Sequence, residues 1–491
     1  MKTAFFPALR PCLAPMGGRA KSFARSLTPL TLLQIEERLG PALERQVLLK
    51  PSSGDHSRER IFTLARTFWC WIWQVLQGNT SCREVVRHVQ ALFALHSQSD
   101  VDEGTSAYCQ ARQKLASTLL VKAFHCVYKK AEKLAPASKL LQGRPLKVAD
   151  GAGLRVSDTA KNRKAFPPSS NQFAKPSFPI MKLVALFSAA SGAILAHAIG
   201  SSLQSELRLL LSLRSFLQCH DILLADRHYG CFVLAAWLQE LKVDLIARLS
   251  RCRKVDFRKA FKRLGPQDAL FIWRKPNKAS PLLSALEWAA LPQEITVRII
   301  RVRIQRPRFR TRELTVVTTL LESQLYPASE ILGSYLKRWR MEMCIDDLKT
   351  TLGMEMLSCR CPELLEKELL VFLTAHNFVR WMMAQATQQG SVDLERISFK
   401  GTLDAFRQWT AALVQLRGPR KRASRARIWR KFLNTLVADL VPLRPGRQEP
   451  RAIKKLSKYP PLRKSRSLYV ERWSRNKRRR FARAKRNALL N

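Results

Sequence analysis

The spacing of hydrophobic positions changes near residue 145, and this change separates two kinds of predicted structure. Before it, aromatic and aliphatic residues recur at helical intervals, which predicts helices over 60–76, from Ser81 to about Leu95, and from about Thr105 onward. Ser81 and Glu84 form a predicted capping box at the start of the second helix. Short helices that carry basic residues suit a DNA-binding module, and an ordinary helical bundle explains the pattern equally well.

From Pro145 onward, shorter apolar runs separated by turn residues predict strands as well as helices. The predicted elements are strand Lys147–Asp150, strands Met181–Phe187 and Ala193–Ile199, helix Leu203–Phe216, strand Ile222–Ala225, helix Phe232–Leu241 and strand Val243–Leu249. A hairpin followed by alternating helices and strands is the element order of the ribonuclease H-like fold. We therefore predict an α/β fold class with a ribonuclease H-like core.

The stretch from Leu183 to Ile199 contains no charged residue, so a membrane span is the first alternative to a strand pair. Ser191 and Gly192 interrupt it, and a Ser-Gly pair between two apolar runs is typical of a hairpin. The stretch is also at the short limit for crossing a bilayer. We predict two paired strands and no membrane association.

Later segments add a β-rich insertion, a second group of helices and a basic C-terminal region. The basic segments 417–431 and 472–486 are predicted to be extended or partly ordered without DNA. The predicted divisions are an N-terminal helical, DNA-binding domain over 1–140, the first part of the core over 141–250, the insertion over 251–322, the second part of the core over 323–390 and the C-terminal helical and basic region over 391–491.

The charge balance indicates the kind of partner. Lys and Arg total 86 against 37 Asp and Glu, a formal net charge of +49 at pH 7. Such an excess favours nucleic acid, because phosphate neutralisation releases counterions, although a ribosomal or packaging protein shares this feature. The 11 cysteines include no paired C-x-x-C motif for zinc, which fits a reducing, cytoplasmic setting.

Two aspartates stand where sheet enzymes place reactive groups. Asp150 ends the first predicted strand, and Asp226 follows the buried strand Ile222–Ala225. An Asp after a strand is commonly a turn former or a helix cap, so each aspartate alone is a weak signal. A third segment strengthens the case that both aspartates are catalytic.

That segment is the predicted helix with Tyr335, Arg338, Glu342 and Lys349. At about 100° per residue, a regular α-helix places these four side chains within an arc of roughly 60°. Apolar residues on both flanks predict that the helix is held by packing on each side, whereas a solvated charged stripe would have more polar flanks. The helix therefore presents one carboxylate among two cations and a phenol.

Three carboxylates from separate elements suit cleavage of a phosphodiester. Two Mg²⁺ ions about 3.5–4 Å apart can neutralise the attacking and leaving oxygens, and hard cations require oxygen ligands. Asp150, Asp226 and Glu342 are the predicted metal ligands and catalytic residues, with Mn²⁺ able to replace Mg²⁺. Arg338 and Lys349 are positioned in sequence to hold phosphates.

The spacing Tyr335, Arg338, Glu342 and Lys349 resembles the Tyr-Arg-Glu-Lys signature of the insertion-sequence-four family of DDE transposases, which includes the Tn-five transposase. Asp150-Gly151 and Asp226-Arg227-His228-Tyr229 resemble the blocks around the family's two catalytic aspartates. Thr318-Thr319, Arg444-Pro445-Gly446-Arg447 and Glu449-Pro450-Arg451 also look like family segments. The interval between Asp226 and Glu342 is long enough for the family's β-rich insertion.

The resemblance implies a Mg²⁺-dependent DNA transposase that nicks element ends, forms and opens hairpins, and transfers 3′ ends into target DNA. It implies that Tyr335, Arg338, Lys349 and Arg227 contact DNA, and that a homodimer holds paired double-stranded ends in the bacterial cytoplasm at the nucleoid. Some relatives place a Trp before the Thr-Thr position to stack on a base; here Leu314–Val317 contains none, and Trp273 is a possible substitute.

Two alternatives remain open from the residues alone. One is a metal-dependent nuclease of the same fold without strand transfer, and the other is an inactive relative that only binds element ends. The presence of all three carboxylates speaks against the inactive relative. It does not separate transposition from simple cleavage.

Overall fold

The computed structural model describes residues 35–36, 38–58, 60–95, 100–135, 140–168, 178–250, 253–303, 313–414 and 422–442. Within helices, the side chains of 339–342, 411–414 and 422 are among those outside this description. The structure also does not describe residues 1–34, the basic segment 472–486 or the motif residues 444–447 and 449–451. The described residues belong to one compact unit.

The helices of the described part lie at both ends of the chain and between strands. They are α1 (Leu64–Leu76), α2 (Cys82–Leu95), α3 (Ser106–Lys114), α4 (Ser117–Lys133), α5 (Ala160–Ala165), α6 (Glu206–Leu211), α7 (Phe232–Glu240), α8 (Ala285–Ala290), α9 (Ala328–Asp346), α10 (Pro362–Gly390), α11 (Phe399–Val414) and α12 (Arg422–Ala438). A π-helical turn, Asp347–Thr351, continues directly from α9.

The strands form one mixed sheet. They are β1 (Leu146–Val156), β2 (Ile180–Ser188), β3 (Ile194–Ser201), β4 (Ile222–Ala225), β5 (Asp244–Arg248), β6 (Lys262–Gly265), β7 (Asp268–Arg274), β8 (Glu294–Arg303), β9 (Glu313–Thr318) and β10 (Met356–Leu357). The order across the sheet is β3-β2-β1-β4-β5-β9-β8-β7-β6, with β10 beside β1. β1, β4 and β5 run parallel, whereas β2 and β3 are antiparallel neighbours. The predicted α/β class is confirmed, and the predicted elements from β1 to β5 occur in the predicted order, with one short helix, α5, that was not predicted between β1 and β2.

The apolar stretch from Leu183 to Ile199 forms the predicted hairpin. Leu183 pairs with Ile199 and Phe187 with Ile194, with a register irregularity beside Phe187. Gly192 in the turn has φ of +68°, a conformation that glycine adopts without steric cost. Among the described residues, we find no helix with the length and apolar character needed to cross a membrane.

Alternate residues of the parallel strands face two separate hydrophobic cores. Val148 and Leu224 lie in the core that contains buried residues of α1, α4 and α10. Ala149 and Leu223 face the opposite core, which contains buried residues of α6 and α7. The sheet is therefore covered by helices on both faces, as parallel strands require.

The N-terminal helices share the first of these cores. α1 begins at Leu64, later than predicted, because the Thr63 side chain accepts a hydrogen bond from Arg66 N at 3.3 Å and caps the helix. The predicted capping box is half formed: Ser81 Oγ accepts from Glu84 N at 3.2 Å, but the Glu84 carboxylate bonds the Thr80 hydroxyl. α1 and α4 pack against α10.

Two expectations for the later segments have different outcomes. The segment after 251 is rich in strands, and these strands extend the main sheet beyond β5. The prediction of an extended basic segment is wrong for 422–431, which lies in α12. Phe432, Leu433 and Leu436 of this helix are buried beside α10 and α11, and this packing stabilises a helix that its basic residues alone did not indicate.

Candidate active site

The register between β1 and β4 brings the two predicted aspartates together. Val148 pairs with Leu224 in the parallel ladder, and Asp150 and Asp226 each follow two residues later. Side chains two residues apart point to the same face of a sheet, so both positions are directed to the face of Val148 and Leu224. Neighbouring strands lie about 4.8 Å apart, so the two carboxylates are close together. Asp226 directly follows the end of β4, but the prediction that Asp150 ends its strand is wrong, because β1 continues to Val156 through its pairing with β2.

Buried contacts at the start of these strands hold this register. Lys147 Nζ lies 2.5 Å from Asp221 Oδ2 and donates to the Phe216 carbonyl at 2.8 Å. Asp221 is 2% exposed, so the ion pair is shielded from solvent. This pair links β1 to the residue that precedes β4.

Each aspartate accepts a hydrogen bond from the backbone of the next residue. Gly151 N donates to Asp150 Oδ1 at 2.9 Å, and Arg227 N donates to Asp226 Oδ1. The other oxygen of Asp226 lies 3.7 Å from Nδ1 of the exposed His228. These bonds restrain the two carboxylates next to the last backbone pair of β1 and β4.

Arg248 is a third charged residue at this edge, and the sequence analysis did not single it out. Ala225 pairs with Ala247, so the same parallel register places Arg248 beside Asp226. The side chain is half-buried. The strand-end rule applied to the aspartates would have found it, because Arg248 ends the third parallel strand.

Helix α9 packs across β1, β4 and β5 and covers these strand ends. Tyr335 and Arg338 are 4% and 5% exposed, and Arg338 Cζ lies 5.6 Å from the centre of the Tyr335 ring. Burial raises the pKa of Tyr335, the positive charges of Arg338 and Arg248 lower it, and the Asp226 carboxylate raises it. The predicted helix face is therefore next to Asp226 and Arg248.

Position 342 follows Arg338 by four residues and Tyr335 by seven, which puts it on the same face of α9. The Glu342 side chain is not among those described. Among the side chains that are described, no three His, Cys, Asp or Glu residues form a group able to hold a metal ion. Asp150 and Asp226 bring together two carboxylates, the type of ligand that a hard cation prefers.

The predicted 60° arc does not hold for Lys349. The α-helix ends at Asp346, and the π-turn that follows has a hydrogen bond from Leu352 N to the Asp347 carbonyl at 3.0 Å. This i to i+5 bond widens the turn, so a rotation of 100° per residue no longer locates position 349. Lys349 is half-buried.

The expectation of packing on both flanks of α9 is wrong for one flank. Leu336 and Met343 are 43% and 60% exposed. On the other flank Leu348 is fully buried and Ile345 is partly buried against the first core. The helix covers the sheet edge with one side only, because no described element packs over the opposite side.

Thr319 and Trp273, two further residues of the sequence analysis, are buried and contact neighbouring parts of the protein. Thr319 Oγ1 accepts from Leu245 N at 3.0 Å and donates to Asp244, so it joins the end of β9 to β5. Trp273 is 7% exposed, with Arg253 Cζ 4.2 Å from its ring centre. A buried indole is poorly placed to stack on a base. Arg227, in contrast, is half-buried and directly follows Asp226.

A family model described as "Transposase DDE domain" matches residues 142–378, which include the strands and helix of the candidate site. The class of protein defined by this match is a DDE transposase.

A curated relative within that class is similar over two thirds of the chain. The chain is 26% identical over 337 residues to "Transposase InsG for insertion sequence element IS4" of Escherichia coli (strain K12), which covers 67% of this chain and 72% of that protein. The chain is thus similar to the insertion-sequence-four family of DDE transposases. A weak likeness to a piggyBac transposase synaptic complex with hairpin DNA has a TM-score of 0.39 and 10% identity, and covers 88% of this chain and 87% of that one.

Proposed function

We propose that this protein is a Mg²⁺-dependent DNA transposase that cleaves the ends of an insertion sequence and transfers their 3′ ends into target DNA. The observation that carries the proposal is the parallel register that sets Asp150 beside Asp226 on the face covered by α9. The similarity to DDE transposases supports the reaction class. We further propose that β1 to β5 form a ribonuclease H-like core.

Asp150, Asp226 and Glu342 are the proposed ligands of two Mg²⁺ ions, for which Mn²⁺ can substitute. When bound, the ions supply charge neutralisation at the attacking and leaving oxygens of the phosphodiester. The backbone bonds to Asp150 and Asp226 fix the carboxylates for this role before a cation binds. Preorganised ligands reduce the free-energy cost of ordering the site.

Tyr335, Arg338, Lys349 and Arg227 are proposed to contact the DNA beside the cut. Arg227 and Lys349 are half-buried, so their charges can reach a phosphate. Because Tyr335 and Arg338 are almost fully buried, their contact with DNA requires that they be uncovered when DNA binds. We add Arg248 to this group, since it lies beside Asp226 at the same edge.

Each proposed step exchanges one phosphodiester bond. Water attacks the bond at the element end and leaves a 3′-hydroxyl and a 5′-phosphate. The 3′-hydroxyl then attacks a phosphodiester of the target, joins to its phosphate and releases a target 3′-hydroxyl. Asp150, Asp226 and Glu342 would hold the cations during both steps.

The net charge of +49 supports double-stranded element ends and target DNA as partners. We propose that two protomers form a homodimer on paired ends, and that the protein acts in the bacterial cytoplasm at the nucleoid. The divisions 1–140, 141–250, 251–322, 323–390 and 391–491 also stand as proposals.

Joining of a precut end tests the function. The protein is incubated in Mg²⁺ with plasmid DNA and a short duplex that carries the inverted repeat flanking its coding region, precut to expose the 3′-hydroxyl. We expect joined products, and none with a matched duplex whose 3′ end is a 2′,3′-dideoxynucleotide and therefore lacks the attacking hydroxyl. Cleavage of uncut ends without joining would identify a nuclease, and end binding without either reaction would identify an inactive relative.

A further inference from the structure

Glu206 lies beside the proposed site on the other side of β1 from α9. It is the first residue of α6, which follows the β2–β3 hairpin, and it is partly exposed. A Cβ atom added to Gly151 would lie 2.6 Å from Glu206 Cδ, 2.7 Å from Oε2 and 2.8 Å from Oε1. The carboxylate therefore occupies the space that a side chain next to Asp150 would fill.

Tyr229 connects Glu206 to the second aspartate. Its hydroxyl donates to Glu206 Oε2 at 3.4 Å, and its backbone N–H donates to the Asp226 carbonyl at 3.0 Å. The ring is 2% exposed. Burial raises the pKa of Tyr229, and the carboxylates of Glu206, Asp150 and Asp226 raise it further, which shows that all three are near the phenol.

This contact lies where the sheet no longer holds the aspartates together. The β1–β4 ladder ends at Val148 and Leu224, so no ladder hydrogen bond sets the separation of Asp150 from Asp226. Glu206 reaches β1 at Gly151 and the Asp226 turn through Tyr229. The Glu206 side chain thus connects the segment around Asp150 with the segment around Asp226, beyond the last backbone pair of β1 and β4.

We propose that Glu206 is a positioning residue of the active site, which sets the separation of Asp150 and Asp226 through Gly151 and Tyr229 and adds negative charge for divalent-cation binding. The proposal rests on the function proposed above. Residues that orient metal ligands commonly change metal affinity or activity by about 10–100-fold when mutated. Gly151 has a matching role, since any side chain there would displace the Glu206 carboxylate.

The test measures Mn²⁺ binding to the full chain by calorimetry without DNA, and the Mg²⁺ dependence of end cleavage. Glu206→Gln removes the charge, Tyr229→Phe removes the link, and Gly151→Ala displaces the carboxylate sterically. Glu240→Gln, at the exposed end of α7, is the matched control. Asp226→Asn reports on the metal site itself.

We expect Glu206→Gln and Gly151→Ala to raise the Kd for Mn²⁺ about 10-fold, Tyr229→Phe to raise it less, and Glu240→Gln to leave it unchanged. Saturating Mg²⁺ should restore cleavage by Glu206→Gln to within about threefold of wild type, which damage to the fold alone would not allow. Wild-type Mn²⁺ affinity in Glu206→Gln overturns the proposal. If that variant does not fold, unchanged affinity in both Gly151→Ala and Tyr229→Phe overturns it.

The result also separates this proposal from the one on which it rests. If Asp226→Asn weakens Mn²⁺ binding and Glu206→Gln does not, only the role of Glu206 is wrong. If Asp226→Asn leaves Mn²⁺ binding unchanged, the proposed metal site is wrong as well.

Discussion

The ends of the parallel strands and the end of helix α9 position charged groups by different means. Beside the last pairs of the parallel ladders, Val148–Leu224 and Ala225–Ala247, the strand register places Asp150, Asp226 and Arg248 next to one another. At the helix end, the backbone changes from α to π after Asp346, and Lys349 follows that change. A strand register extends over several residues with little error, whereas one widened turn redirects every later position of a helix.

This difference predicts that variants where the strands and α9 meet cause the largest losses of DNA-nicking activity. Glu342→Gln keeps the side-chain volume but removes a charge that a hard cation needs. We expect end binding to persist and nicking in Mg²⁺ to fall by about 10³-fold or more, since such a site stabilises the transition state by several kcal/mol.

Glu330→Gln is the matched control for Glu342→Gln, because it makes the same change in the first turn of the same helix. Glu330 is exposed and accepts a hydrogen bond from Gln142 at 3.0 Å. The control should nick at the wild-type rate. Near-wild-type nicking by Glu342→Gln would remove Glu342 from the proposed metal ligands.

Arg248→Gln tests the strand-end side of the comparison. Losing a cation beside Asp226 should lower the nicking rate about 10–100-fold, because a fixed positive charge at a reacting phosphate is typically worth about 1.4–2.7 kcal/mol. Arg274→Gln, an exposed arginine at the end of β7, is the control. Equal rates for the two variants would show that Arg248 only packs at the edge.

Lys349→Gln tests the helix-end side. A lysine acts as a point charge on phosphate, so we expect a loss of DNA affinity of about tenfold or less, and a log-log salt slope reduced by about 0.9. Lys400→Gln, on the exposed side of α11 beside Asp404, should leave the slope unchanged. An unaltered slope for Lys349→Gln would mean that the π-turn directs this lysine away from DNA.

Asp347→Asn has the smallest expected effect, on stability. Burial raises the pKa of Asp347 from 3.8 to about 6, although Arg380 Nη2, 3.6 Å away, lowers it. The folded state then binds the proton more tightly than the unfolded chain, so the free energy of unfolding falls as pH rises from about 4 to about 6. In Asp347→Asn the free energy of unfolding should no longer fall over this pH range. At pH 8 its melting temperature, measured by calorimetry, should be about 1–3 °C above that of the wild type.

The wild-type protein is its own reference in this measurement, scanned from pH 4 to pH 8. Asp346→Asn, at an exposed neighbouring position, removes a like charge that raises the pKa of Asp347, so it should weaken the fall with pH but keep its direction. A lower melting temperature for Asp347→Asn across the whole range would mean that its pair with Arg380 stabilises the fold more than its burial destabilises it.

The sequence by itself determined the strands and helices that carry Asp150, Asp226 and Glu342, because alternation and helical spacing are local properties of the chain. It also determined the hairpin at Ser191-Gly192 and the family signature. The tertiary structure alone decided that 422–431 is helical, that Leu336 and Met343 are exposed, and that Glu206 reaches Gly151. Each of these depends on contacts between residues far apart in the chain, which a pattern of neighbouring residues does not encode.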